Sequence, residues 1–139
     1  MSFDRRPAPR SERPAAPRKS PPQLLGSIGE RLALEHYQRL GFTLLERNRR
    51  TPSGELDLIL ADARTLVFVE VKTASVDALD PLDSLTARKL RRLRRAAREW
   101  LASSPERPRV RQLRFDAVAV VLDDAGRLVS LEQFEGIDC

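Results

Sequence analysis

Two apolar segments joined by a short connection constrain this chain more than any other feature. Glu55–Leu60 reads ELDLIL and Leu66–Lys72 reads LVFVEVK, with Ala61–Arg64 between them. The first alternates, placing Glu55, Asp57 and Ile59 on one face and Leu56, Leu58 and Leu60 on the other. The second is a near-continuous β-forming run, as expected of a strand buried on both faces. So short a link makes the two strands antiparallel neighbours. On the second strand Glu70 and Lys72 share a face, because residues two apart do so in any strand.

Carboxylates inside such strands are costly to bury unless they pair or bind something. Asp57 and Glu70, with Glu55 close by, repel one another, and the single Lys72 does not neutralise them. A hard divalent cation would. Mg²⁺ (or Mn²⁺) takes a few carboxylate oxygens, a backbone carbonyl and waters, and suits phosphate chemistry. The expected ligands are Asp57, Glu70 and the carbonyl of Val71. Lys72 is placed to orient an attacking water or to stabilise charge developing on a phosphate. The plainer reading of the same residues is a cross-strand ion pair between Asp57 and Lys72.

The rest of the chain reads as one α/β domain. Gly26–Leu40 has a helical apolar stripe closed by Gly41. Phe42–Arg47 is a short strand, and Asn48–Gly54 carries turn signals. Residues 73–84 read as a loop. A second helix runs to about Ala102, capped by Ser84 or Thr86, with Leu90, Leu93, Ala97, Trp100 and Leu101 as its apolar stripe. After a Pro-interrupted loop come strands at Leu113–Leu122 and Arg127–Leu131. The order is α-β-β-β-α-β-β, a mixed sheet in which a helix crosses over between strands.

Composition narrows the class. The chain has 139 residues, which is one domain, and a single Cys, which excludes an internal disulfide framework and a Cys-rich zinc site. It has no long apolar run and no apolar leader, so a cytoplasmic protein with no membrane association is expected. Residues 1–22 hold six of the ten prolines, with six basic and two acidic residues. This segment is expected to be a disordered basic tail, leaving residues 23–139 as the folded domain. The domain's own charge is nearly balanced but segregated. Residues 88–98 (RKLRRLRRAAR) carry seven positive charges and no negative one. Lys89, Arg92 and Arg95 lie along one side of that helix, spaced to follow a phosphate backbone. No aromatic residue is interleaved, so base stacking is not signalled. Asp116, in a central strand, either supports the site or pairs with Arg114 or a helix arginine. Glu55 reads equally as a partner behind the metal ligands and as a strand-end charge.

Several motifs in order carry a family resemblance: GSIGE (26–30), ERNRR (46–50), GELDLI (54–59), FVEVK (68–72), the helix containing Lys89, and RFDAVAV (114–120). Together they resemble the YraN family of bacterial proteins, which are expected to be endonucleases, and they span about residues 24–135. The resemblance implies a restriction-endonuclease-like fold with a PD-(D/E)xK signature. It makes Asp57 the first acid, Glu70 the second, Lys72 the lysine, and Glu30 an additional metal ligand or acid/base on the first helix. Ala74 stands where the family often has Arg. The function implied is Mg²⁺- or Mn²⁺-dependent hydrolysis of DNA phosphodiesters, on branched or structured DNA. A homodimer would suit symmetric cuts. The alternative is a non-catalytic nucleic-acid-binding or adaptor module on the same fold.

Overall fold

The structure is a computed structural model that describes residues 21–77, 83 and 85–137. Seven elements follow in order: α1 (Pro21–Arg39), β1 (Thr43–Thr51), β2 (Gly54–Ala61), β3 (Thr65–Ser75), α2 (Ala87–Ser103), β4 (Gln112–Leu122) and β5 (Leu128–Phe134). The expected mixed α/β order is the one observed. The five strands form one sheet in sequence order, β1-β2-β3-β4-β5. All neighbours are antiparallel except β3 and β4, which run parallel because α2 carries the chain back across the sheet.

Each helix covers one face. Beneath α1, Ala33, Leu34 and Tyr37 pack on Leu58, Leu60, Val67, Val69, Val118 and Val120. Beneath α2, Leu93, Ala96, Ala97 and Trp100 pack on Ile59, Leu66, Phe68 and Phe115. The alternation along β3 is therefore real but two-sided: odd residues face α1 and even residues face α2, which is why the strand reads as a continuous apolar run. Phe68 anchors the second layer, stacked on Phe115 at 5.3 Å between ring centroids and met edge-on by Trp100 at 5.8 Å. Each such ring pair adds about 0.5–1.5 kcal/mol beyond the area it buries.

Several boundaries differ from the sequence expectation. Helix α1 begins at Pro21, so Pro21 and Pro22 open the helix and do not belong to the tail; proline is tolerated in a first turn, where its missing N–H has no helical partner to lose. The expected tail otherwise lies outside the described residues. The helix ends at a left-handed Gly41 (φ 96°), where the Phe42 amide bonds back to the Tyr37 carbonyl at 3.0 Å. Strand β1 runs through Asn48–Thr51, which had read as part of the turn. Its ladder with β2 continues to Thr51↔Gly54, and only Pro52 and Ser53 lie between the strands. Strand β3 extends three residues past Lys72 because its parallel pairing with β4 persists to Ser75↔Leu122. Thr86 is the cap of α2, its hydroxyl accepting the Lys89 amide; Ser84 lies outside the described residues. Leu56 was expected beside Leu58 and Leu60 but packs in the α2 layer. Here β2 is paired with β1 alone, and a two-stranded ribbon twists more strongly than a full sheet. No helix among the described residues is long and apolar enough to cross a membrane.

Candidate functional site

Between β2 and β3 the ladder runs from Ala61↔Leu66 to Leu58↔Val69 and stops. The next positions in register are Asp57 opposite Glu70, and then Leu56 opposite Val71. At this point β2 departs with β1, while β3 stays with β4. The amide of Val71 loses its ladder acceptor there, and the carboxylate of Asp57 takes it, Val71 N to Asp57 Oδ2 at 2.8 Å. In a strand a residue's N–H and C=O point to the same edge, so the Val71 carbonyl opens onto the same gap.

Asp57 and Glu70 line one small cleft with Gly54 and Glu55 from β2, and with Leu85, Lys89, Arg92, Leu93 and Ala96 from α2 and the residue stretch before it. The cleft thus joins three acids to two bases of the basic helix. Lys72 stands beside it, its Nζ 3.3 Å from Glu70 Oε2. The cross-strand Asp57–Lys72 pair considered from sequence does not form; the lysine pairs within its own strand. Burial pushes the Asp57 carboxyl up to about 8, and the charge of Glu70 adds to the rise. The Val71 amide opposes this, while Glu30 and Glu55 raise it further. Without a cation, burial and the neighbouring acids thus favour the protonated form of this carboxyl.

Glu30 approaches from α1. Its carboxylate accepts the Asn48 side-chain amide at 3.0 Å. Asn48 holds a left-handed backbone conformation (φ 50°), which asparagine tolerates better than most residues. In the β1–β2 register Asn48 falls opposite Asp57, between Arg47↔Leu58 and Arg49↔Leu56. Helix α1 comes this close because it crosses β3 at Gly29, where a Cβ would lie 1.9 Å from the Thr73 hydroxyl.

Two of the expected residues are placed elsewhere. Asp116 sits on the α1 side of the sheet, away from the cleft. It accepts bonds from Tyr37 Oη (2.7 Å), both ends of the Arg114 guanidinium (2.9 and 3.0 Å), Gln133 and the Gly136 amide. It is wholly buried and fully satisfied, a structural node tying α1, β4 and β5 together. Tyr37's own burial, then its bond to Asp116 and the charge of that carboxylate, hold the Tyr37 hydroxyl far above the usual phenol range. The place of Asp116 follows from parity: β4 residues of even number face α1. Arg95 is exposed and lies outside the cleft that Lys89 and Arg92 line.

Other contributors were not read from the sequence. Asn48 was absorbed into a turn. Gly54 is more than a turn residue: its φ is 145°, and Arg92 packs across it, so a Cβ there would meet the arginine chain at 3.4 Å. The hairpin tip is clamped to α2 by Glu99, which accepts the Ser53 amide and hydroxyl at 2.9 and 2.7 Å, while Trp100 donates to Glu46 at 2.6 Å. These contacts join residues about 46–54 positions apart in the chain, where no local pattern reports them.

The donor set is all oxygen. Among the described residues no group of three or more His, Cys, Asp or Glu side chains converges as a cage. An all-oxygen donor set is of the kind that hard ions such as Mg²⁺ take, with one or two carboxylates and several waters.

Fold and cleft together define a small α/β protein with paired acids and a lysine at a break in its central ladder. The model of uncharacterised protein family UPF0102, the YraN family, matches residues 29–120, and the chain belongs to that family. It is 46% identical over 121 residues to a UPF0102 protein of Corynebacterium efficiens, covering 86% of this chain and 96% of that one. A UPF0102 protein of Corynebacterium glutamicum is 46% identical over 106 residues, 76% of this chain and 84% of the relative. One from Dictyoglomus thermophilum is 30% identical over 109 residues, 78% and 91% respectively.

Proposed function

We propose that this protein is a metal-dependent endonuclease acting on DNA, with Asp57, Glu70 and the Val71 carbonyl as the groups that hold Mg²⁺ or Mn²⁺. The observation that carries the reading is that Asp57 and Glu70 line one cleft at the point where the β2–β3 ladder ends. The fold holds two carboxylates together, raises the proton affinity of one of them, and pairs Lys72 with the other. A divalent cation relieves that arrangement better than a proton does.

Bound there, the ion would neutralise charge on a phosphodiester and lower the pKa of a water. The chain's own groups supply the rest. Lys72, held 3.3 Å from Glu70, presents an ammonium to a non-bridging phosphate oxygen. Lys89 and Arg92, reaching in from α2, hold the neighbouring phosphates. Glu30, fixed by Asn48, is the nearby acid available to accept a proton from water. No covalent intermediate is needed. Branched or structured DNA is the preferred substrate class, and a homodimer would deliver paired cuts.

Calorimetric titration with Mn²⁺ tests the site without a choice of substrate. The wild type should bind one ion, and Asp57→Asn and Glu70→Gln should each weaken binding at least tenfold while keeping the fold. Equal affinity in wild type and Asp57→Asn would end the proposal. A wild type that binds Mn²⁺ and DNA but cleaves no duplex, fork or junction would leave the non-catalytic binding module.

A further inference from the structure

A second cluster of cations lies at the other end of the sheet. Arg64, Arg109 and Arg111 surround an open hollow with Ala63, Val110 and Gln112. The hairpin before β3 and the segment before β4 are drawn together there, by the Gln112 amide on the Arg64 carbonyl at 3.1 Å and by the Thr65↔Gln112 pair. Val110 turns inward against the α2 layer, so Arg109 and Arg111, on either side of it, are exposed. The preceding loop is held rigid. Arg107 donates to the Leu101 and Ser104 carbonyls at 2.8 and 3.0 Å, and Pro105 and Pro108 restrict the backbone between. Among the described residues no carboxylate pairs with the Arg109 or Arg111 side chain. The acid acting beside Arg64 is Asp62, whose carboxylate is already engaged by the Arg64 and Thr65 amides.

Helix α2 connects this cluster to the acid cleft. Lys89 and Arg92 line the cleft, while Leu101, near the other end of the helix, adjoins Arg109. Arg91, Arg95 and Arg98 are exposed between the two ends. Thr65 and Glu70 are five residues apart on β3, roughly 17 Å at about 3.3 Å per residue. Guanidinium groups match phosphate oxygens better than any other side chain. No aromatic residue lines the hollow, so it offers nothing for stacked bases. We infer that Arg64, Arg109 and Arg111 form a second phosphate-binding site, which holds the backbone of the same duplex about five base pairs from the phosphodiester in the acid cleft. The inference rests on the nucleic-acid reading of that cleft but not on cleavage.

The test uses the full chain and a labelled duplex of about 20 base pairs, with affinity measured across a salt series in the absence of metal. The triple variant R64A/R109A/R111A should reduce the slope of log affinity against log salt by about 2 to 3, one phosphate contact per arginine. Affinity at low salt should fall at least tenfold, with unchanged thermal unfolding. The triple lysine variant should keep most of the wild-type slope, which shows that charge at these positions carries the effect. An unchanged slope in the alanine variant would overturn the assignment. So would a stoichiometry of two duplexes per protein, or tighter binding of poly-glutamate than of duplex at equal salt. Failure of the metal reading is seen separately: Asp57→Asn titrating Mn²⁺ like wild type removes that reading, while a reduced slope in the arginine variant still stands.

Discussion

The carboxylate of Asp57 stands in for a strand, accepting the Val71 amide at 2.8 Å where the Leu56 carbonyl would accept it in an unbroken ladder. One side chain thus caps the end of the β2–β3 pairing and lines the cleft it shares with Glu70. The same residue closes the sheet and opens the site.

This double role makes stability depend on pH in an unusual direction. The folded-state pKa of Asp57 is raised from 3.8 to about 8 by burial and by Glu70. The folded state therefore binds a proton that the unfolded chain has already released. The stabilisation is fully present below about pH 4 and is lost as pH rises through about 8. In a chelator, the thermal midpoint should fall between about pH 5 and pH 9, following a loss of unfolding free energy on the order of a few kcal/mol. Asp57→Asn should flatten the profile. A wild-type midpoint that rises over that interval contradicts the assignment.

Metal affinity should show the mirror image. Binding must displace the Asp57 proton, so Mn²⁺ affinity should climb about tenfold per pH unit until about pH 8 and then level off. Calorimetry at four or five pH values reads this directly.

Lys72→Ala separates ion binding from catalysis. Among the described residues Lys72 is the cation paired with Glu70; on the proposed reading, the acids without it still bind a divalent ion. Mn²⁺ affinity should be kept or increased, while cleavage falls about 10²–10³-fold through loss of charge stabilisation at the phosphate. Parallel titration and cleavage assays check both halves. Loss of Mn²⁺ binding would show that Lys72 organises the site and does not act on substrate.

Gly29→Ala tests how α1 reaches the site. The new methyl would press on the branched Thr73 side chain, with its hydroxyl at 1.9 Å. The expected cost is about 1–3 kcal/mol in urea unfolding. Thr73→Ala in the same chain should recover part of it, a coupling that a double-mutant cycle measures.

The Asp116 node should behave as structure alone. Tyr37→Phe removes a buried 2.7 Å bond to the carboxylate and should cost about 1.5–3 kcal/mol. Asp116→Ala leaves Arg114 without its buried partner and should cost about 3–5 kcal/mol. Mn²⁺ affinity in Tyr37→Phe should match wild type, since the cleft lies on the other side of the sheet.

Much of this was legible along the chain. Apolar periodicity located every helix and strand, because side-chain spacing is a local property of backbone geometry. The link between β2 and β3 was short enough to require antiparallel neighbours, and two acids in apolar strands required some compensation. What the linear pattern did not carry was where the ladder breaks, which way each polar side chain turns, and which distant residue meets it. Asp116 went to the far face because its parity on β4 is set by the register with β3. Lys72 pairs with Glu70, two residues away on the same face of β3, and not across the gap where the ladder to β2 has ended. Asn48 looked like a turn residue until the β1–β2 ladder placed it opposite Asp57. Spacing along a strand depends on bonds between neighbours in the chain, whereas these placements depend on register and packing between segments that meet only when the whole sheet has formed.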